Sequence, residues 1–227
     1  MNDIKSAVIP ESGGFIPVNP AVEAYMRTLV THSDHPVLAE MEEFAQLRNF
    51  PIVNRLAGIF LETQAKMINA KRVFEFGSGY GYSAYWFARA VGAGGRVICS
   101  DADANNRTRA EKYLSAADVW QRIEFCVGLA QDVFAQTDGI FDICYNDVDK
   151  GYYPEIWQMA KQRIRSGGLY VADNVLWHGR VALQGSQETG RGSTEAIMEH
   201  NRLIFNDPDF DAFINPIRDG VIVARKK

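Results

Sequence analysis

The apolar positions of this chain change their period near residue 71. Upstream, apolar residues recur three and four apart, and three helices are expected. "PAVEAYMRTLV" (residues 20–30) follows Asn19 as a cap and opens with Pro20 in its first turn. "HPVLAEMEEFAQL" and "PIVNRLAGIFLETQAKMI" likewise carry a proline at their start. Residues 1–18, with their Gly, Pro and Ser, read as a surface segment. From residue 71 on, short apolar runs alternate with helical stretches. "RVFEF" precedes "YSAYWFARAV", "GRVICS" precedes "ANNRTRAEKYLSAA", and "RIEFCV" precedes "AQDVFAQ". "FDICYN" then precedes "YPEIWQMAKQRI", and "GGLYVA" precedes "STEAIMEHNRLIF". "FDAFINPI" and "VIVARKK" close the chain as two strands joined by a tight turn at "RDG". Such alternation predicts an α/β fold: a mostly parallel sheet with helices on both faces and an antiparallel last strand. Residues 1–70 would form a helical cap on a core of residues 71–227, all within one domain.

In such sheets ligands bind beyond the carboxyl ends of the strands, so the residues that follow each strand carry the functional reading. After the first strand comes "EFGSGYGYS", where Gly77, Gly79 and Gly81 allow a tight turn and a close approach of backbone to ligand. The spacing is G-x-G-x-G, and Tyr82 stands where a dinucleotide fingerprint needs its last glycine. Glu75 would repel a diphosphate and suits a cationic ligand, such as the sulfonium and amino group of S-adenosylmethionine. Asp101 lies 22 residues beyond Gly79, the place for an acid that accepts hydrogen bonds from a ribose diol. Asp103 and Asn105 read as caps of the next helix. Gln131, after the third strand, reads either as a contact for an adenine amino group, floored by Leu129 and Ala130, or as part of a helix start.

The tips of the fourth and fifth strands are the most charged. "YNDVDKGYY" brings Asp147, Asp149 and Lys150, and "VADNV" brings Asp173 and Asn174. Asp147, Asp173 and Asn174 offer oxygen donors only, which is the ligand type for Mg²⁺, Mn²⁺ or Ca²⁺ rather than zinc. Three protein donors leave positions open for substrate.

Composition narrows the reading without adding to it. A net charge of −4 gives no basic footprint for a nucleic-acid partner. No run approaches the roughly 18 apolar residues of a membrane span, and the first residues lack the apolar stretch of a signal peptide, so a cytoplasmic protein is expected. Cys99, Cys126 and Cys144 are odd in number and sit in separate strand-like runs, which suits buried free thiols.

These motifs together resemble the class I S-adenosylmethionine-dependent methyltransferases. The closer resemblance is to the metal-dependent catechol and caffeoyl-coenzyme A O-methyltransferases and their bacterial relatives. It is carried by "VFEFGSGYGYSAYWFA", "FDICYNDVDKGYYPEIWQMA", "RIRSGGLYVADNVLWHGRV" and "DGVIVARKK", in that order, and spans roughly residues 50–227. It implies a Rossmann-like, seven-stranded sheet. It implies Mg²⁺ or a similar ion on Asp147, Asp173 and Asn174. It implies a cofactor site of Val53, Glu75, Gly77, Ser83, Asp101, Gln131 and Asp147, with Val53 in the entry helix. Lys150 matches the lysine regarded as general base, and a small phenolic acceptor and a homodimer are implied as well.

Asn146 departs from the family pattern, in which an apolar residue is usual. Glu188, Glu195 and Glu199 lie where the catechol enzymes hold substrate with a glutamate, and none of them aligns clearly. Asp149 is expected either to hold Lys150 or to touch waters of the ion. Phe15, Tyr152, Tyr153, Trp177 and His178 are candidate pocket walls, with packing or surface loop as the plainer reading of each. Two other functions fit parts of the pattern. One is methylation of a hydroxylated tRNA base, which would need a basic patch from Arg180, Arg191 and Arg202. The other is a non-catalytic S-adenosylmethionine-binding protein.

Overall fold

The computed structural model describes residues 19–30, 35–182 and 193–227. Residues 1–18, which include Phe15, and the positions of Glu188 and Arg191 lie outside the described residues.

Three helices come first: α1 (Pro20–Leu29), α2 (Pro36–Arg48) and α3 (Arg55–Met67). The cap of α1 is as expected, since the Asn19 side chain accepts the Ala21 N–H at 2.9 Å. The start of α3 is not. Pro51 does not open a helix; residues 51–54 carry no regular secondary structure, and Asn54 caps α3 by accepting the Ala57 N–H. Val53 therefore sits just ahead of the helix, buried, and not within it.

The remaining elements are β1 (Arg72–Phe76), α4 (Tyr82–Val91), β2 (Arg96–Asp101), α5 (Ala104–Ala116), β3 (Ile123–Val127) and α6 (Ala130–Gln136). They continue with β4 (Phe141–Asn146), α7 (Tyr153–Lys161), β5 (Ile164–Ala172), α8 (Ser193–Phe205), β6 (Phe210–Asn215) and β7 (Val221–Lys226). The seven strands form one sheet in the order β3-β2-β1-β4-β5-β7-β6. Strands β1 to β5 pair in parallel, and β7 is antiparallel to both of its neighbours. The connection from β6 to β7 is longer than the tight turn expected. It spans residues 216–220, with the Gly220 N–H bonded to the Ile217 carbonyl. Strand β5 also begins earlier than expected, because Ile164 pairs with Phe141 across an irregularity in the ladder.

Alternation along the strands sends side chains to two cores. Val73, Tyr145 and Val171 join residues of α2, α3, α4 and α5 on one face. Phe74, Phe76, Cys144 and Tyr170 join α6, α7 and α8 on the other. On the first face α3 and α4 pack closely because Gly58 has no side chain: a Cβ there would meet the Trp86 ring at 2.1 Å. The second face is lined by edge-on and tilted rings of Phe74, Phe76, Phe134 and Phe141. Cys99 and Cys144 are buried and Cys126 is half-buried, all as free thiols. No helix among the described residues is long and apolar enough to cross a membrane.

The order reverses between β1 and β4, which opens a crevice at their carboxyl ends. The two tips are knitted together there, since the Asp147 N–H donates to the Phe76 carbonyl at 3.0 Å.

Candidate active site

The glycine loop forms one wall of the crevice. Gly77 has φ 78°, and a Cβ at that position would lie 2.7 Å from the Asp147 carbonyl oxygen, so only glycine lets the β1 and β4 tips approach this closely. Glu75, at the end of β1, is fully buried. One of its oxygens accepts the Ser83 hydroxyl from the first turn of α4. Its Oε2 has no hydrogen-bond partner among the described residues. Burial pushes the Glu75 carboxyl up to about 8, against the hydrogen bond from Ser83. A buried carboxylate oxygen without a partner is costly unless a donor arrives to meet it. A ligand carrying an ammonium group satisfies that requirement, so the residues present fit S-adenosylmethionine.

Asp101 holds the loop in place as well as facing it. Its Oδ2 accepts the Gly79 N–H at 3.0 Å, and its Oδ1 accepts the Asp103 N–H and the Asn106 side-chain amide. Asp103 caps α5 through the Asn105 N–H. Gln131 is half-buried in the first turn of α6, and its neighbour Leu129 is exposed. The structure thus places Val53, Glu75, Gly77, Ser83, Asp101 and Asp147 around the β1 and β4 tips, with Gln131 at the start of the helix that follows β3.

The β4 and β5 tips form the second wall. Lys150 Nζ lies 2.9 Å from Asp147 Oδ1 and 2.7 Å from the Tyr153 hydroxyl. The Tyr153 hydroxyl in turn donates to the Asp173 carbonyl at 2.9 Å. Two of the three ammonium N–H groups of Lys150 are thereby fixed in direction. Asp149 does not hold Lys150; it is exposed, and its backbone carbonyl starts the single 3₁₀ turn of Lys150–Tyr152. Asp173 is buried, and its Oδ1 accepts the Asn174 N–H. Asn174 adopts a left-handed φ of 57°, which turns the chain sharply out of β5.

Arg218 is a residue that sequence patterning missed. It lies in the β6–β7 connection, yet its guanidinium reaches Asp173 Oδ2 at 2.5 Å and the Ile52 carbonyl at 3.2 Å. Burial pushes the Asp173 carboxyl above the ordinary range, and the Arg218 charge opposes that shift. The only local signal was an arginine beside an Asp-Gly pair, which reads as an ordinary surface turn.

The donor types of Asp147, Asp173 and Asn174 fit a hard divalent cation. Among the described residues no group of three or more His, Cys, Asp or Glu side chains gathers to hold a metal, so Asn174 would have to supply the third donor. The remaining pocket candidates divide. Tyr153 is buried within the hydrogen-bond chain, and burial, with Asp147 and Asp173 nearby, holds its phenol well above the ordinary value. Tyr152 is exposed, Trp177 is half-buried, and His178 projects outward beside Asp219. Glu195 is exposed, and Glu199 pairs with Arg202 on the surface of α8.

The O-methyltransferase family model matches residues 28–227. A catechol O-methyltransferase of Niastella koreensis is 33% identical over 173 residues, covering 74% of this chain and 78% of that protein. A caffeoyl-CoA O-methyltransferase of Mesembryanthemum crystallinum is 30% identical, covering 74% of this chain and 70% of that protein. The solved O-methyltransferase of Bacillus cereus in complex with SAH superimposes with a TM-score of 0.80 at 26% identity, over 91% of this chain and 97% of that one. A match over nearly the whole chain, made by a fold whose loops and strand tips suit a sulfonium cofactor, places this protein in the O-methyltransferase family as an S-adenosylmethionine-dependent enzyme.

Proposed function

We propose that this enzyme methylates one oxygen of a vicinal dihydroxy aromatic, such as a catechol, a caffeoyl ester or a related phenolic. The proposal includes a divalent cation, Mg²⁺, Mn²⁺ or Ca²⁺, on Asp147, Asp173 and Asn174. The observation that carries it is the Lys150 ammonium, held between Asp147 and Tyr153 at the mouth of the crevice and one strand away from Glu75. The printed activities of the catechol and caffeoyl-CoA relatives support the acceptor class.

S-Adenosylmethionine supplies an electrophilic methyl group when bound, and a hard cation supplies a Lewis acid that lowers the pKa of a phenol. The chain does the rest. Glu75 Oε2 receives the ammonium of the donor, and Ser83 keeps that carboxylate oriented. Asp101 accepts from the ribose, Gln131 faces the adenine, and Val53 and Gly77 shape the wall beside the methionine portion. Asp147 borders both the donor and the cation. Lys150 Nζ takes the acceptor proton, and Asp147 and Tyr153 fix its direction. Holding acceptor and donor in line accounts for much of the rate in such a reaction.

A tRNA acceptor has less support. Arg202 is paired with Glu199, Arg180 lies over the Trp177 ring, and Arg191 is outside the described residues. The test is a turnover panel of caffeate, its single-hydroxyl analogue, caffeoyl-coenzyme A and hypomodified tRNA, with EDTA and with added Mg²⁺ or Mn²⁺. Catechol-type acceptors should exceed monophenols by orders of magnitude in kcat/KM, and EDTA should abolish transfer until metal is restored. Equal use of both phenols rejects the acceptor reading, and full activity in EDTA rejects the metal.

A further inference from the structure

The two acids at the strand tips are matched one to one by cations that the chain itself supplies. Lys150 Nζ lies 2.9 Å from Asp147 Oδ1, and Arg218 Nη1 lies 2.5 Å from Asp173 Oδ2. The second pair is the more buried, with side-chain exposures of 22% for Arg218 and 1% for Asp173. Arg218 also holds a backbone φ of 51°, in the left-handed region that favours glycine. Its immediate neighbours do not explain an arginine there; the distant carboxylate and the Ile52 carbonyl do. Strained positions of this kind concentrate at functional sites.

We infer that Arg218 is an internal counter-cation that competes with a divalent metal for the Asp173 carboxylate, and so keeps the affinity of this site for the ion weak. The inference rests on the reading that Asp147, Asp173 and Asn174 receive such an ion. Two carboxylates, one ammonium and one guanidinium sum to zero, so an arriving dication meets no net attraction. Its charge is repelled by a guanidinium already in contact with one of its ligands. Without Arg218 the same three donors would carry a net charge of −1 beside Lys150, and Asp173 would be a buried charge lacking compensation. A cation would then be drawn in strongly. Because a guanidinium is effectively never deprotonated, the competition is independent of pH across the working range, as it would not be with histidine. The same guanidinium ties the Ile52 carbonyl, next to Val53, to the acid, so the segment that precedes α3 reports whether Arg218 is in place.

The experiment is a Mn²⁺ titration of the full chain, followed by calorimetry and by the electron spin resonance signal of free Mn²⁺. Arg218→Gly removes the charge and suits the backbone at this position. Arg218→Lys keeps the charge. Arg218→Gln is neutral yet retains a donor for the Ile52 carbonyl, and it decides the question if the glycine variant fails to fold. The neutral variants should bind Mn²⁺ at least about tenfold more tightly than wild type, about 1.4 kcal/mol, with Arg218→Lys within roughly threefold of wild type. Asp173→Asn should lose the site. Wild-type binding that is unchanged or weakened in the neutral variants overturns the competition and leaves the metal reading standing. Absence of Mn²⁺ binding in wild type and neutral variants alike removes the metal reading and this inference with it.

Discussion

The two walls of the crevice have opposite electrostatic designs. At the glycine loop a buried carboxylate, Glu75, keeps one oxygen without a partner. At the β4 and β5 tips every charge in the centre is answered within the chain: Lys150 by Asp147, Asp173 by Arg218. The first wall is incomplete without a cationic ligand, so donor binding carries a large electrostatic component there. The second wall is preorganised, and its groups need only be met by the acceptor. A methyl transfer needs both: a site that selects a positively charged donor, and one that holds a proton acceptor steady while the oxygen attacks.

The comparison is broken most severely at Lys150. Lys150→Ala leaves Asp147 without its cation and the acceptor without its base. kcat should fall by roughly 10²–10⁴-fold, the range for loss of a general base. Lys150→Arg should not restore it, since guanidinium does not take up and release a proton near neutrality. Donor affinity should change little, because Glu75 is on the other wall. Steady-state kinetics on a catechol together with calorimetry for S-adenosylhomocysteine separate the two effects. A Lys150→Ala enzyme with normal kcat would remove the base from this wall.

A smaller loss is expected on the first wall. Glu75→Gln keeps the size of the side chain and removes the charge that faces the ligand ammonium. Donor affinity should fall by about 10–100-fold, as for loss of a hydrogen bond between charged groups at about 1.5–3 kcal/mol. Wild type should also bind the donor with a pH dependence that the variant lacks. Burial holds the free Glu75 carboxyl up to about 8, so near neutrality it carries a proton that must leave when an ammonium arrives. Affinity should therefore rise with pH up to about 8 and then level off. Calorimetry in two buffers of different ionisation enthalpy should detect proton release near pH 7. Binding that is flat with pH and releases no proton would show that Glu75 does not face the charge.

Much of this was legible before the structure. Strand ends placed Glu75, Asp101, Asp147, Lys150, Asp173 and Asn174 because a parallel sheet forces its catalytic groups to one edge. Helix starts were legible where a cap and a proline agree, as at Asn19 and Pro20. What escaped was set by contacts far apart in sequence. Pro51 was taken as a helix start, yet the Ile52 carbonyl is taken by Arg218 and Asn54 supplies the real cap. The β6–β7 connection looked like a tight Asp-Gly turn, and its arginine turned out to complete the acid centre. Asn146 looked like an unexplained departure from an apolar pattern. Its amide donates to the Tyr170 hydroxyl at 3.0 Å from a neighbouring strand, and no local period could have shown that.

That last contact leads to the mildest test, which asks whether the closed design of the second wall continues into the core below it. Tyr170 accepts from Asn146, so its own proton must go to His200 Nε2, 3.0 Å away. His200 is then neutral with its proton on Nδ1, 3.1 Å from Asn201 Oδ1, and the Asn201 amide closes the chain on the Val175 carbonyl. Burial, followed by the charge of Lys150, lowers the His200 imidazole from the ordinary histidine value to about 4, with the Asn201 hydrogen bond opposing. The unfolded chain titrates this group near 6.5, so between 6.5 and about 4 it binds more protons than the folded chain does. The stability that His200 contributes is fully present above 6.5 and declines as pH falls through that window. Between pH 7 and pH 5.5 the loss should be about 1–1.5 kcal/mol, close to one proton's linkage per pH unit. Carboxylates titrate as well, so the quantity to measure is the difference between wild type and His200→Gln in urea unfolding at each pH. That difference should shrink toward acid, because the variant cannot lose what it no longer has. A difference that stays constant from pH 7 to pH 5 would mean that His200 titrates alike in both states, and that the ordered network stops at Tyr153 instead of reaching the core.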